Sequence, residues 1–283
     1  MAQGGSSGER AEEGVRRAAR GASPWIERVA RFGYVAYGVV YVLVGVLAFQ
    51  AASGGGGKTT GQEGALQTIL LAPLGRFLLG LVALGLLGYA AWRLFQGILD
   101  PENEARDAKG VVKRSDHIVN GLFHAALAVS VGGVALGSGG GGGGGPDDWT
   151  ATLLQQPLGR LLTVAFGAGI VIIGLFQFYR AYDAKFMVKL KPGEMGPRER
   201  TWTRRGGRLG HAARGVVFVL IGAFLVHAAL QSDPNEARGL GGALSALAGQ
   251  PFGPYLLGAV AFGLVCFGLF MFVVARYRRI ETG

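Results

Sequence analysis

Six stretches of 16 to 24 residues carry no acidic or basic side chain other than His: Phe32–Ala52, Phe77–Trp92, Ile118–Ser138, Leu161–Tyr179, Gly215–Ser232 and Phe252–Ala275. About 20 apolar residues in a helix cross a hydrocarbon core about 30 Å thick. Water offers no comparable way to house six such segments in one chain. The composition agrees: 16% of the 283 residues are charged, against about 25% in soluble domains. A soluble fold is excluded, and the fold class read from the sequence is all-α and integral to a membrane. The first stretch follows a 31-residue polar, basic segment. It is too long for the apolar core of a signal peptide, so it is expected to stay in the protein.

The charge is strongly basic, with 28 Lys and Arg against 18 Asp and Glu. Its distribution explains it. If the N-terminus is placed inside the cell, 21 of the 28 cations fall on the inner side, and four (Lys58, Arg76, Arg160 and Arg238) fall outside. Arg93, Arg180 and Arg214 lie at helix ends. That bias is the positive-inside signal, so both termini are expected in the cytoplasm. The basic loops would then face anionic lipid headgroups. No aromatic-basic reading motif accompanies the charge, so no nucleic-acid partner is expected.

The chain repeats itself. Arg31-Phe-Gly-Tyr-Val-Ala-Tyr-Gly-Val-Val-Tyr-Val-Leu-Val-Gly45 and Arg208-Leu-Gly-His-Ala-Ala-Arg-Gly-Val-Val-Phe-Val-Leu-Ile-Gly222 align at a constant offset of 177. A more diverged middle copy places Gly121, His124, Ala125 and Gly132 at the positions of Tyr34, Tyr37, Gly38 and Gly45. The second half of each copy opens with Pro73-Leu-Gly-Arg76, Pro157-Leu-Gly-Arg160 or Pro251-Phe-Gly-Pro254. Twelve residues after each Pro stands Gly85, Gly169 or Gly263. Three tandem two-helix hairpins follow, in a pseudo-threefold arrangement. Repeat 1 covers 26–101 with spans at about 32–52 and 74–96. Repeat 2 covers 111–187 with spans at about 117–138 and 158–180. Repeat 3 covers 203–280 with spans at about 212–232 and 253–275. Residues 1–25 are read as a disordered cytoplasmic tail.

Within each unit, a short amphipathic stretch precedes the Pro (Leu66, Ile69 and Leu70 in the first copy) and is expected to lie on the outer membrane surface. The Pro is expected to begin the second helix. Arg76 and Arg160 are expected to snorkel toward outer headgroups. Trp92 with Arg93, Tyr179 with Arg180, and Tyr277 with Arg276 have the composition of inner interface anchors, as do Trp25 and Trp202. Ser53–Gly57 and Gly139–Gly145 read as low-complexity outer loops. The helix glycines read differently. Gly85, Gly169 and Gly263 are expected to let helices of different hairpins approach closely, because small residues serve that purpose in lipid.

Three copies of a two-helix unit, with a Gly-rich first helix, a Pro-Leu-Gly opening to the second and aromatic-Arg inner ends, resemble the bacterial membrane family called domain of unknown function 1206. The resemblance covers about residues 26–280, with Pro254 standing where the other copies have Arg. It implies a six-helix bacterial membrane protein and carries no activity, catalytic residue or cofactor.

Motif searches return decoys. Ala52-Ser-Gly-Gly-Gly-Gly-Lys58-Thr59 fits the loosest phosphate-loop spacing but follows an apolar helix rather than a strand. No His-Glu-x-x-His or Gly-x-Ser-x-Gly occurs, and the single Cys266 cannot form an internal disulfide. No catalytic, cofactor or metal residue is assigned. All 18 acids are read as lying in tails and loops, which removes the usual proton-relay chemistry. His124 and His227 are expected to hydrogen-bond a neighbouring helix, and Gln50, Gln96, Asn120 and Gln177 to act as inter-helix glue. The repeat register also places Tyr37, His124 and Arg214 at equivalent depths, where they are expected to converge as a polar ring on an axis normal to the membrane. The first expectation for function is a non-enzymatic structural or interaction protein, with an unidentified protein partner at the basic 181–211 segment. The alternative is a channel or transporter for an ion or small solute, with that ring as its constriction.

Overall fold

In a computed structural model, the described backbone comprises residues 7–54, 69–71, 74–99, 108–137, 146–156 and 158–279. Eight α-helices are named in it: α1 (Ser7–Ala52), α2 (Gly75–Leu99), α3 (Ala108–Leu136), α4 (Pro146–Leu154), α5 (Gly159–Asp183), α6 (Pro197–Gln231), α7 (Leu240–Ala248) and α8 (Gly253–Tyr277). Six of them (α1, α2, α3, α5, α6 and α8) are long and apolar enough to cross a membrane. Their outward faces carry large apolar side chains such as Phe49, Leu84, Leu122, Leu161 and Phe262. A surface that apolar requires lipid around it. The two Gly-rich loops, Ser53–Gly57 and Gly139–Gly145, lie almost entirely outside the described residues.

The helices extend beyond the expected spans at the basic end. α6 begins at Pro197, so its 35 residues reach about 52 Å, well over a hydrocarbon thickness. α1 runs back to Ser7, into the segment read as a disordered tail. The reason is compositional: Glu12 and Arg16, and Glu13 and Arg17, stand four residues apart among alanines, a pattern that favours helix.

Packing is antiparallel throughout. Gly38 of α1 faces Gly268 of α8, and farther along Gly45 faces Ala261 and Val265, so the residue numbers rise along one helix as they fall along the other. The extensive partnerships are α1 with α8, α2 with α3, α5 with α6, α1 with α2, and α6 with α8. These order the six helices in space as α3-α2-α1-α8-α6-α5. The two end members, α3 and α5, belong to one hairpin yet are not among the closely packed pairs. Only 22% of the span of each is buried, against 56% for α1 and α8.

Two junctions between copies use the same close approach at a glycine, and the third is looser at the equivalent position. A Cβ on Gly45 would lie 2.8 Å from Ala261 O, and one on Gly222 would lie 2.6 Å from Gly167 O. One on Gly132 would meet Ala83 at 3.9 Å. In the repeat register Gly45, Gly132 and Gly222 are equivalent, and so are Ala83, Gly167 and Ala261. At each junction an arginine also closes the C-terminal end of the neighbouring helix, where backbone carbonyls lack partners and the dipole favours a cation. The Arg31 guanidinium donates to Ala275 O and Arg276 O of α8. Arg114 donates to Gly97 O and Ile98 O of α2 at 3.1 and 3.2 Å. Arg208 donates to Ala181 O and Tyr182 O at 2.8 Å, at the end of α5.

The glycines singled out in sequence have a different role. Gly85 packs on Ala36 and Gly263 on Ala213, so both tighten the interior of a hairpin rather than a junction between hairpins. Gly169 has nothing within 4 Å of an added Cβ, and Gly167 and Gly174 make the close approaches of α5 instead. The cause lies on α3. Asn120 and Phe123 occupy the positions that Gly33 and Ala36 hold on α1, and Gly210 and Ala213 hold on α6. Their bulk prevents the approach that Gly169 would otherwise accept.

The Pro-Leu-Gly motif also has a different structure from the one expected. Leu74, Leu158 and Phe252 all sit at positive φ, 61°, 64° and 61°. Gly253 N donates to Gln250 O at 2.7 Å and Gly159 N to Gln156 O at 2.8 Å, closing a turn around the Pro. The second helices therefore start at Gly75, Gly159 and Gly253, and Pro251 belongs to the preceding turn; Pro73 and Pro157 lie outside the described residues. The glycine is required sterically: a Cβ on Gly253 would stand 1.9 Å from Ala248 O.

Candidate functional site

The expected ring residues meet. The Tyr37 and His124 rings are 4.6 Å apart at their centroids, and the Arg214 guanidinium lies 5.9 Å from the Tyr37 ring. All three are buried. Their neighbours fill the space between them. Tyr89 stacks on Tyr37 at 4.8 Å, Phe267 meets Tyr37 edge-on at 5.9 Å, and Arg214 lies 4.4 Å from the Phe267 ring. Tyr41 and Phe218 complete the aromatic box around Arg214 at 5.5 and 4.9 Å. A desolvated cation over aromatic faces gains about 2 kcal/mol from each good contact, which offsets part of the cost of burial.

The histidines do not bridge helices as expected. His124 Nδ1 pairs with Asn120 O on its own helix at 2.6 Å, and its Nε2 is buried without a hydrogen-bond partner. His227 pairs with Gln231, also on its own helix. Of the proposed glue residues, Gln177 performs that role: its Oε1 lies 2.8 Å from His211 Nδ1, joining α5 to α6. Asn120 bonds within its own helix to Asp116, Gln96 accepts from Arg93, and Gln50 is exposed.

Below the aromatic layer, toward the basic end, lies a cavity of about 50 Å3. Its wall includes Arg93, Arg180, Lys189, Arg214 and Arg278, and no acidic residue among the described residues. Sequence reading took Arg93 and Arg180 for interface anchors, yet both turn inward. Arg93 Nε donates to Tyr89 OH at 2.9 Å, and its Nη1 lies 2.8 Å from His117 Nδ1 on α3. Trp92 is likewise buried and donates from Nε1 to Tyr34 OH at 3.2 Å. At the opposite end, Arg160 donates to Leu230 O at 3.1 Å and closes the end of α6 rather than reaching only for headgroups. Periodicity locates a cation at a helix end but does not say which way it turns.

The connector after α5 forms part of the cavity wall on the basic side, through Phe186, Lys189 and Leu190. Lys185–Lys189 forms a 3-10 turn whose Phe186 packs on His211 and Phe270 at 5.2 and 4.9 Å. Leu190 is buried, Lys191 N donates to Tyr277 O at 2.9 Å, and Arg279 N donates to Lys189 O at 3.0 Å. A segment read as a basic loop thus carries buried apolar residues across the end of the bundle. Nor are all acids in loops and tails: Asp116 lies on α3 just inside its span, 4.0 Å from His117.

The comparisons match this architecture. The profile described as "Domain of Unknown Function (DUF1206)" matches three times, at 32–100, 116–183 and 209–278. "Uncharacterized protein YxxB" of Bacillus subtilis (strain 168) is 36% identical over 257 residues, covering 91% of this chain and 93% of that protein. No solved structure is significantly similar. The chain, a multi-pass membrane protein built of three tandem repeats, belongs to the DUF1206 family.

Proposed function

We propose that this chain is a non-enzymatic scaffold of the bacterial plasma membrane, its six spanning helices set in a pseudo-threefold ring with both termini in the cytoplasm. The orientation rests on the 21-to-4 bias of Lys and Arg. The symmetry is supported by the equivalent glycines and the three carbonyl-closing arginines at the junctions between copies. Lipid is the first partner, through anionic headgroups at the basic end. A protein partner would find the projecting start of α6, where Trp202 is 72% exposed beside Arg198, Arg200, Arg204 and Arg205.

One observation favours a scaffold over a conduit. The axial level of Tyr37, Tyr89, His124, Arg214 and Phe267 is filled by rings and a guanidinium in mutual contact. Water-filled passages need open bore at such a level. The conduit reading keeps one support of its own, the unpacked seam between α3 and α5, through which the ring can widen. Flux of chloride, phosphate and alkali cations from liposomes separates the two. The scaffold reading expects wild-type leakage equal to protein-free vesicles. Flux that Arg214→Ala alters would replace it with the conduit.

A further inference from the structure

The cavity at the basic end has a wall no scaffold requires. Five cationic side chains line about 50 Å3. Burying like charges together is costly unless something of opposite sign compensates. Among the described residues no Asp or Glu lines the cavity, and Asp116 is a carboxylate close enough to act on Arg93, Arg180 and Arg214. Arg214 is only 6% exposed, and its Nε has no hydrogen-bond partner. The space matters too. A water needs about 10–15 Å3 of such volume, so the cavity takes about three to five oxygen-sized atoms. A tetrahedral oxyanion presents that number. Guanidinium groups bind such oxygens through paired, charge-assisted hydrogen bonds.

We infer that this cavity is a binding site for a phosphate group, held by Arg93, Arg180, Lys189, Arg214 and Arg278. The site draws on five elements that must be assembled for it to exist: α2 gives Arg93, α5 gives Arg180, α6 gives Arg214, and the bridged ends of the 185–191 connector and α8 give Lys189 and Arg278. Occupation therefore ties the connector to the bundle and ties α5, at the unpacked seam, to α2. The phosphate can come from the aqueous side as a free ion or from the headgroup of an anionic phospholipid. Both leave the same groups satisfied.

The test uses the full-length protein in phosphatidylcholine nanodiscs, in a phosphate-free buffer. Inorganic phosphate is titrated and followed by equilibrium dialysis of the labelled ion and by thermal unfolding. In parallel, phosphatidylglycerol is offered to the same protein, and bound lipid is counted by native mass spectrometry. The site predicts saturable binding of one phosphate group per chain, weakened at least tenfold in Arg180→Gln and in Lys189→Gln. Both residues are half-buried, so these variants spare the fold that Arg214→Gln would strain. Saturation by inorganic phosphate identifies the free ion. Retention of one phosphatidylglycerol without phosphate saturation, lost in the same two variants, identifies the headgroup. Failure of wild type to bind either probe saturably, or binding that both variants leave unchanged, overturns the site.

Discussion

The first and third hairpins are closed, and the middle one is not. In the first, a Cβ on Gly33 would stand 2.5 Å from Tyr89 N; in the third, one on Gly210 would stand 2.6 Å from the Phe267 Cα. The corresponding middle residues are Asn120 and Ile173. Trp92 reaches Tyr34, and Phe270 meets His211 at 5.8 Å, whereas the middle copy offers Phe176 and Gly121, which cannot reproduce either contact. The junctions between copies, in contrast, are kept all three times. Equivalent sequence thus builds equivalent contacts only where small residues stand opposite one another. Two bulky side chains on one helix are enough to part a hairpin, because dispersion between helices in lipid falls off within about an ångström of lost contact.

Substitutions can break or sharpen this contrast. The largest effect is expected at a junction. Gly268→Leu drives a side chain into Gly38 O, which already lies 2.6 Å from an added Cβ, and should cost about 3 kcal/mol or more. Size-exclusion monitored thermal unfolding in detergent would register little folded protein. Inside a closed hairpin, Gly263→Val meets Ala213 at 2.5 Å and should cost about 1–3 kcal/mol in the same assay. Removing the hydrogen bond across the first hairpin with Trp92→Phe should cost about 1 kcal/mol. Gly169→Val, the positional twin of Gly263→Val, faces open space at the seam and should change stability by less than about 0.5 kcal/mol. Equal losses at Gly169 and Gly263 would erase the distinction between the hairpins.

Much of this architecture is legible in the residues alone. Six charge-free stretches and the 177-residue offset are enough for the spans and the tandem copies, because lipid leaves a chain few other options. The repeat register also placed Tyr37, His124 and Arg214 at one depth. What it missed depends on rotation about a helix axis. Gly85 and Gly263 face their own hairpin partner, Gly169 faces no neighbouring side chain, and Arg93 and Arg180 turn into the bundle, although all sit at heights the sequence fixes. A nearly uniform apolar surface gives little amphipathic signal from which to read that rotation. The cation-lined cavity was hidden for the same reason, and because Lys189 and Arg278 arrive from segments that read as loop and tail. The parted seam was in principle readable, since Asn120 and Phe123 replace Gly33 and Ala36. It required knowing that those two positions are contacts.

The seam itself is most directly tested by paired cysteines in native membranes, with Cys266 replaced by Ser. Ala213→Cys with Gly263→Cys places two thiols across a closed hairpin, and Phe123→Cys with Gly169→Cys places them at the same heights in the middle one. Rapid disulfide formation in the first pair and none in the second is the expected result. Comparable cross-linking in both would show that α3 and α5 pack like their counterparts and that the middle hairpin is closed.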